Sequence, residues 1–143
     1  MKTTVQILKQ YWGYETFRPQ QEAVIDAVIA CKDVLTLLPT GAGKSLCFQV
    51  PTITNGGVCI VISPLIALMQ DQVKDLLDKN ISAVNLGGQI TPDAEDIILS
   101  DAKKGKYQFI YCSPEKLAQT NFQNFLSQIT IQLFAIDEAH CIS

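Results

Sequence analysis

The sequence has 143 residues, 48% of them apolar, and a net charge of −3, which suits one domain with one core and excludes wholesale disorder. Its pI near 5.0 gives no compositional support for a nucleic-acid partner, so any such partner must be argued from motifs. No apolar stretch approaches the roughly 18 residues of a transmembrane helix, the opening residues lack the apolar run of a signal peptide, and the chain reads as cytosolic.

Residues 3–11 predict a short helix with Val5, Ile7 and Leu8 as its apolar surface. Gly13 ends it and Pro19 opens the next helix at its first turn. The segment from Tyr11 to Gln21 supports two readings. One is an aromatic staple between two helices. The other is an adenine pocket: Tyr14 stacks on the base, the Gln21 amide pairs with its N6 and N7 edge, and Arg18 adds a hydrogen bond or a stacking plane.

Residues 20–30 carry Val24, Ile25, Val28 and Ile29 on one helical face. Residues 33–37 read as a short buried strand. Leu38-Pro39-Thr40-Gly41-Ala42-Gly43-Lys44-Ser45 follows, and Leu46 starts another helix. Strand, glycine-bearing loop ending in Gly-Lys-Ser, then helix is the context of a phosphate-binding loop. Its backbone N–H groups would surround phosphate oxygens, helped by the helix N-terminus. Lys44 would reach the β- and γ-phosphates and the Ser45 hydroxyl would ligate magnesium. Gly41 and Gly43 permit the tight turns close to the ligand.

Pro51 predicts a disturbance of the helix after the loop, and Asn55-Gly56-Gly57 ends that segment. Residues 58–62 are an unbroken apolar run, the pattern of a strand buried on both faces of a parallel sheet. Ser63-Pro64-Leu65 closes it. Leu65, Leu68, Met69, Val73, Leu76 and Leu77 then fall at helical spacing up to Asn80. Residues 81–85 form a weaker strand, and Gly87-Gly88 a loop. Thr91-Pro92-Asp93 opens a helix with a cap, a first-turn proline and an acid, and Lys103-Lys104-Gly105 closes it. Residues 108–112 are another strand, followed by Ser113-Pro114-Glu115-Lys116-Leu117. Phe122, Phe125 and Leu126 mark a further helix. Residues 131–136 are the last strand and run into Asp137-Glu138-Ala139-His140. The cysteines at 31, 47, 59, 112 and 141 make no C-x-x-C pair and read as small buried residues, not as a metal cluster.

Strands alternating with helices at this rhythm predict an α/β fold, a parallel sheet with helices on both faces. Ligands of such sheets sit beyond the carboxyl ends of the strands. The phosphate loop, Ser63-Pro64, Ser113-Pro114 and Asp137-Glu138 all follow strands, so they are expected to converge on one edge. Asp137 would hold magnesium, and the adjacent Glu138 would orient or deprotonate the attacking water. His140, the sole histidine, reads as a surface histidine or as a link from the nucleotide site to a partner surface.

These motifs together resemble those of superfamily 2 helicases of the RecQ family. Residues 38–45 look like motif I, where Leu38 in place of the first glycine of the general loop is the helicase form. Asp137-Glu138-Ala139-His140 looks like motif II, and Cys141-Ile142-Ser143 after it matches the RecQ version. Gly13-Tyr14, Phe17-Arg18-Pro19 and Gln21 resemble the RecQ motif 0. Residues 63–72 are similar to motif Ia, and Ser113-Pro114-Glu115 to motif Ib. Ala42 and Gln20 stand where RecQ proteins usually have glycine; neither removes a ligand group.

The resemblance implies a RecA-like, P-loop ATPase domain of an ATP- and Mg2+-dependent 3′-to-5′ DNA helicase used in recombination and repair. It implies adenine contacts from Tyr14, Arg18 and Gln21, and phosphate contacts from Thr40, Gly41, Ala42, Gly43, Lys44 and Ser45. Ser45 and Asp137 would be magnesium ligands, Glu138 the base, His140 a further nucleotide-site residue, and Ser63, Pro64 and Ser113 would touch the DNA backbone. The DNA would be single-stranded or a duplex junction, the setting a bacterial-type cytosol or a nucleus, and the fragment a monomer with no membrane partner. RecQ proteins continue past the equivalent of Ser143 into a second motor domain, so the chain reads as the first part of the first one, with little turnover alone. The rival readings are a nucleotide-binding module that hydrolyses nothing, and another superfamily 2 motor such as an RNA helicase or a translocase.

Lys44 supplies the one point charge expected at the β/γ-phosphates, and such charge-assisted hydrogen bonds contribute roughly 1.5–3 kcal/mol. A Lys44→Ala variant is therefore expected to bind a fluorescent ATP analogue about tenfold or more weakly. Unchanged affinity would show that the loop holds no phosphate.

Overall fold

Thr3 opens the first helix with a reciprocal cap. Its Oγ1 accepts the Gln6 N–H at 3.2 Å, while Gln6 Oε1 accepts the Thr3 N–H at 2.8 Å, a capping box that satisfies two orphan donors. The helix, α1, spans Thr4–Trp12 and ends on Gly13 at φ 76, whose N–H donates to the Lys9 carbonyl; only glycine takes this left-handed conformation without cost. The computed structural model describes residues 3–29, 46–88 and 90–136 and divides into two units, Met1–Gly56 and Gly57–Ser143. The expected strand at 33–37, the phosphate loop and Asp137 to Ser143 lie outside the described residues.

In the first unit, α2 spans Pro19–Ile29 and α3 spans Leu46–Asn55. The three helices share a core of Ile7, Leu8, Ile25, Leu46 and Val50, with Tyr11, Trp12, Phe17, Ile29 and Ile53 packed against it. Val5, expected on the apolar face of α1, is exposed instead. Pro51 corrects another expectation, since α3 runs through it to Asn55. Proline removes one N–H from the ladder. Beyond it, the Thr52 hydroxyl donates to the Phe48 carbonyl at 2.8 Å and the Thr54 hydroxyl to the Val50 carbonyl at 2.9 Å. These side-chain bonds add to the helix around the gap, and Pro51 itself is buried.

The second unit holds β1 (Val58–Ile62), α4 (Ile66–Asp78), β2 (Ala83–Asn85), α5 (Pro92–Lys103), β3 (Phe109–Cys112), α6 (Pro114–Leu117), α7 (Thr120–Leu126) and β4 (Ile131–Ile136). The four strands form one parallel sheet in the order β2-β3-β1-β4. β1 and β3 lie inside it, and their unbroken apolar sequences are what two covered faces require. On one face, Ile60, Ile62, Ile110 and Cys112 pack with Leu86, Ala102 of α5 and Phe122 and Phe125 of α7. On the other, the Tyr111 hydroxyl donates to Gln72 of α4 at 2.8 Å. Helices therefore cover both faces, as expected for this class.

Local signals fix the helix ends. Asn80, at φ 63, donates to the Leu77 carbonyl, and Ile81 N–H reaches the Leu76 carbonyl; this pairing is a Schellman stop, with asparagine tolerating the left-handed position. Thr91 caps α5 by accepting the Ala94 N–H, with Pro92 next and Lys103 in the last turn. The weak strand expected at 81–85 shrinks to Ala83–Asn85, because Ile81 is spent on the Schellman stop. β4 and β2 are the two edge strands among the described residues; the side chains of β4 alternate, and Phe134 and Ile136 are exposed.

Burial pushes the Cys47 thiol up to about 11 and the Cys112 thiol up to about 12, the latter partly pulled back by the Lys116 charge. Both hold their proton more tightly folded than unfolded. Their contribution to stability is complete below the ordinary thiol range and is lost as pH rises toward those values. Since the thiolate is the nucleophile, iodoacetamide at pH 8 is expected to label neither residue at an appreciable rate in the folded protein and both rapidly in urea. Fast native labelling of either, read by mass spectrometry, would contradict the burial.

Candidate functional site

In the first unit, the turn between α1 and α2 brings Tyr14, Arg18 and Gln21 together within a few residues. The staple role falls to Phe17, which packs on the helical core with Tyr11 and Trp12. Tyr14 is 57% exposed, and Arg18 is exposed as well. Gln21 is 4% exposed. It is the third residue of α2 and reaches back, its Oε1 accepting the Arg18 N–H at 3.0 Å. The Arg18 carbonyl in turn accepts the N–H groups of Gln21 and Glu22. This is half of a capping box. It fixes which way the Gln21 amide points.

In the second unit, parallel pairing sets the strand ends level. Ile62 of β1 is in register with Cys112 of β3 and with Ile136 of β4, and the Ser63 N–H donates to the Cys112 carbonyl at 3.1 Å. Ser63-Pro64 and Ser113-Pro114, distant in sequence, thus lie side by side beyond the carboxyl edge. On the far side of β3, the Leu86 N–H donates to the Tyr111 carbonyl at 2.7 Å, so the chain leaves β2 at the same edge. A Cβ on Gly87 there would meet the terminal methyl of Met69 of α4, so a larger residue would require that flexible side chain to shift.

Both serines brace their own loops. Ser63 Oγ accepts the Leu65 N–H and Ser113 Oγ accepts the Lys116 N–H, each at 3.2 Å. An accepting hydroxyl keeps its hydrogen to donate. Ser63 is 1% exposed, whereas Ser113 and Pro64 are half-buried; of the two hydroxyls, that of Ser113 is the one within reach of solvent. Thr40, Gly41, Ala42, Gly43, Lys44, Ser45, Asp137, Glu138 and His140 lie outside the described residues.

Sequence reasoning missed two features beside these loops. One is α6, although Ser113-Pro114 repeats the cap-and-proline signal of Thr91-Pro92. The other is the ion pair of Lys116 with Glu95 at 2.6 Å; a lysine between a strand and a helix carries no sequence signal for burial.

Residues 18–143 match the family model of the DEAD/DEAH box helicase. The chain belongs to the DEAD/DEAH box helicase family. Among its curated relatives is the ATP-dependent DNA helicase RecQ of Pasteurella multocida, 42% identical over 99% of this chain and 22% of that protein. The RecQ of Bacillus subtilis is 42% identical over 96% of this chain and 23% of its own length. The chain thus spans under a quarter of these relatives. A crystal structure of the DUF1998 helicase MrfA bound to DNA superposes with a TM-score of 0.73 at 18% identity, covering 95% of this chain and 20% of that one, which confirms the RecA-like helicase fold.

The Gln21 cap yields a test of its own. Gln21→Ala removes the acceptor of the Arg18 N–H and is expected to cost about 1 kcal/mol of stability. Gln21→Glu keeps an oxygen on the Arg18 N–H and should lose less than Gln21→Ala. Equal losses in urea unfolding would show that the cap contributes nothing.

Proposed function

We propose that this chain is the ATP-binding part of a RecQ-type DNA helicase, an ATP-driven motor that moves 3′ to 5′ and serves recombination and repair. The observation that carries the reading is the Tyr14–Arg18–Gln21 group, set in a chain whose relatives are RecQ helicases. Phe17 takes the packing role, and an exposed ring and guanidinium remain beside an amide of fixed orientation. That group suits a base edge and a π-face. Gln21 Oε1 would accept from adenine N6 with its second lone pair, and Nε2 would donate to N7.

The remaining roles follow from chemistry and order. Residues 40–45 would hold the phosphates, with Lys44 at the β and γ positions. Ser45 and Asp137 offer a hydroxyl and a carboxylate oxygen, hard donors that fit magnesium. Bound there, magnesium would neutralise charge on the β- and γ-phosphates. Glu138 would orient the attacking water, and His140 would relay the state of the site to a partner surface. Pro64, Ser113 and the backbone at Ser63 would meet the DNA backbone. Such contacts position DNA without reading its sequence. Hydroxyl and amide donors suit a chain of net charge −3. No helix among the described residues is long and apolar enough to cross a membrane.

Arg18 is the only arginine in the sequence and is assigned here to the base. Hydrolysis in such motors draws a factor of about 10³–10⁵ from a finger arginine on the γ-phosphate, and a lysine does not reproduce its planar fork. The 143-residue chain alone is therefore expected to show little ATP turnover with or without single-stranded DNA. In the full-length protein, DNA-stimulated turnover is expected in the parent and lost in Glu138→Gln, which still binds ATP. Robust turnover by the chain alone would remove the need for a second motor domain, and near-parent turnover by Glu138→Gln would remove that residue from catalysis.

A further inference from the structure

Lys116 holds the loop after β3 in two ways. Its backbone N–H is the donor that Ser113 Oγ accepts, at 3.2 Å. Its ammonium donates to Glu95 Oε1 on α5 at 2.6 Å and to Gln119 Oε1 at 3.1 Å. The side chains of Lys116 and Glu95 are only 10% and 20% exposed, against 64% and 74% for Lys9 and Glu15 and 60% and 28% for Lys106 and Asp101. α6 is four residues long, and one helical turn does not hold itself in water, because nucleation costs more than one hydrogen bond returns. Its place must come from tertiary anchors. The Gln123 amide on the Leu117 carbonyl is one; the Lys116–Glu95 pair is the charged and more buried one. Removing either member would leave the other charge enclosed without a partner, which the turn could relieve only by moving.

We propose that the Lys116–Glu95 pair fixes Ser113 and the turn after it in the position that meets a nucleic-acid backbone, and that Lys116 is a positioning residue, not a phosphate-binding cation. The proposal rests on the DNA-motor reading above. It opposes the simplest view of a lysine beside a DNA-contacting loop, namely that its charge sits on a phosphate. Two of the three ammonium donors are committed inside the protein, which points the charge away from a ligand.

The two views differ in the sign of one mutation and in a slope. Glu95→Gln, Lys116→Gln and the double variant are compared in the full-length protein by the fluorescence anisotropy of a labelled single-stranded oligonucleotide across a KCl series. Each single variant is expected to bind roughly fivefold or more weakly, the double no worse than the weaker single, and the slope of log affinity on log salt is expected to stay at the parent value. Lys116→Arg, which preserves the pair, should bind as the parent does. Tighter binding by Glu95→Gln would mean that a freed ammonium reaches phosphate. A slope reduced by about one in Lys116→Gln would mean that Lys116 already does. Either result overturns the proposal. A parent that binds no oligonucleotide would instead sink the DNA reading. The clamp itself is then judged by amide hydrogen exchange at residues 116–118, expected to quicken about tenfold in Glu95→Gln, and unchanged exchange there overturns it.

Discussion

The register of β1 against β3 is the constraint on which the second unit depends. Ile62 faces Cys112, and the hydrogen bond from Ser63 to the Cys112 carbonyl continues the ladder past the last strand residue. A shift by one residue would turn every side chain to the other face. It would take Ile60, Ile62, Ile110 and Cys112 out of the core they share with Phe122 and Phe125, and would carry the Tyr111 hydroxyl away from Gln72. Burial on both faces thus locks the register, and the register sets the Ser-Pro loops side by side. Chemistry at the sheet edge inherits its geometry from apolar packing several residues away.

Several polar side chains serve the fold, and one of them, the half-buried Ser113, keeps its hydroxyl within reach of a ligand. Gln21, Ser63 and Ser113 each use an acceptor on a nearby backbone N–H, which fixes a rotamer. The Ser113 hydroxyl hydrogen then points in a set direction. Preorganisation of this kind lowers the ordering cost of binding. The same logic separates Phe17 from Tyr14. Phe17 is spent in the core of the first unit, and Tyr14 is not.

The sheet order adds a second consequence. β4 is an edge strand among the described residues, next to β1, and ends level with Ile62. Asp137 follows directly in sequence, and the serines after β1 and β3 lie beyond the same ends of neighbouring strands. This is the arrangement expected of ligand sites in open parallel sheets.

The sequence alone determined the element types, because local signals were strong and independent of the rest of the chain. Thr91 was readable as a cap, Gly13 as a stop, 58–62 as a doubly buried strand from its unbroken apolar run, and 108–112 as a strand. The motif residues, from Tyr14 and Lys44 to Ser113 and Glu138, were named as candidates from identity and spacing alone. Tertiary structure decided what depends on distant partners. Pro51 stays helical inside α3, and 81–85 gives up Ile81 to a helix stop and shortens to Ala83–Asn85. Gln21 turns out to be a cap as well as a candidate ligand, Ser63 is sealed while Ser113 is not, and Lys116 turns inward to Glu95. The sealing of Ser63 and the turn of Lys116 toward Glu95 are not written in a local window, because burial and ion pairing are properties of which residues meet, and that is settled only when the sheet register and the helices over it are in place.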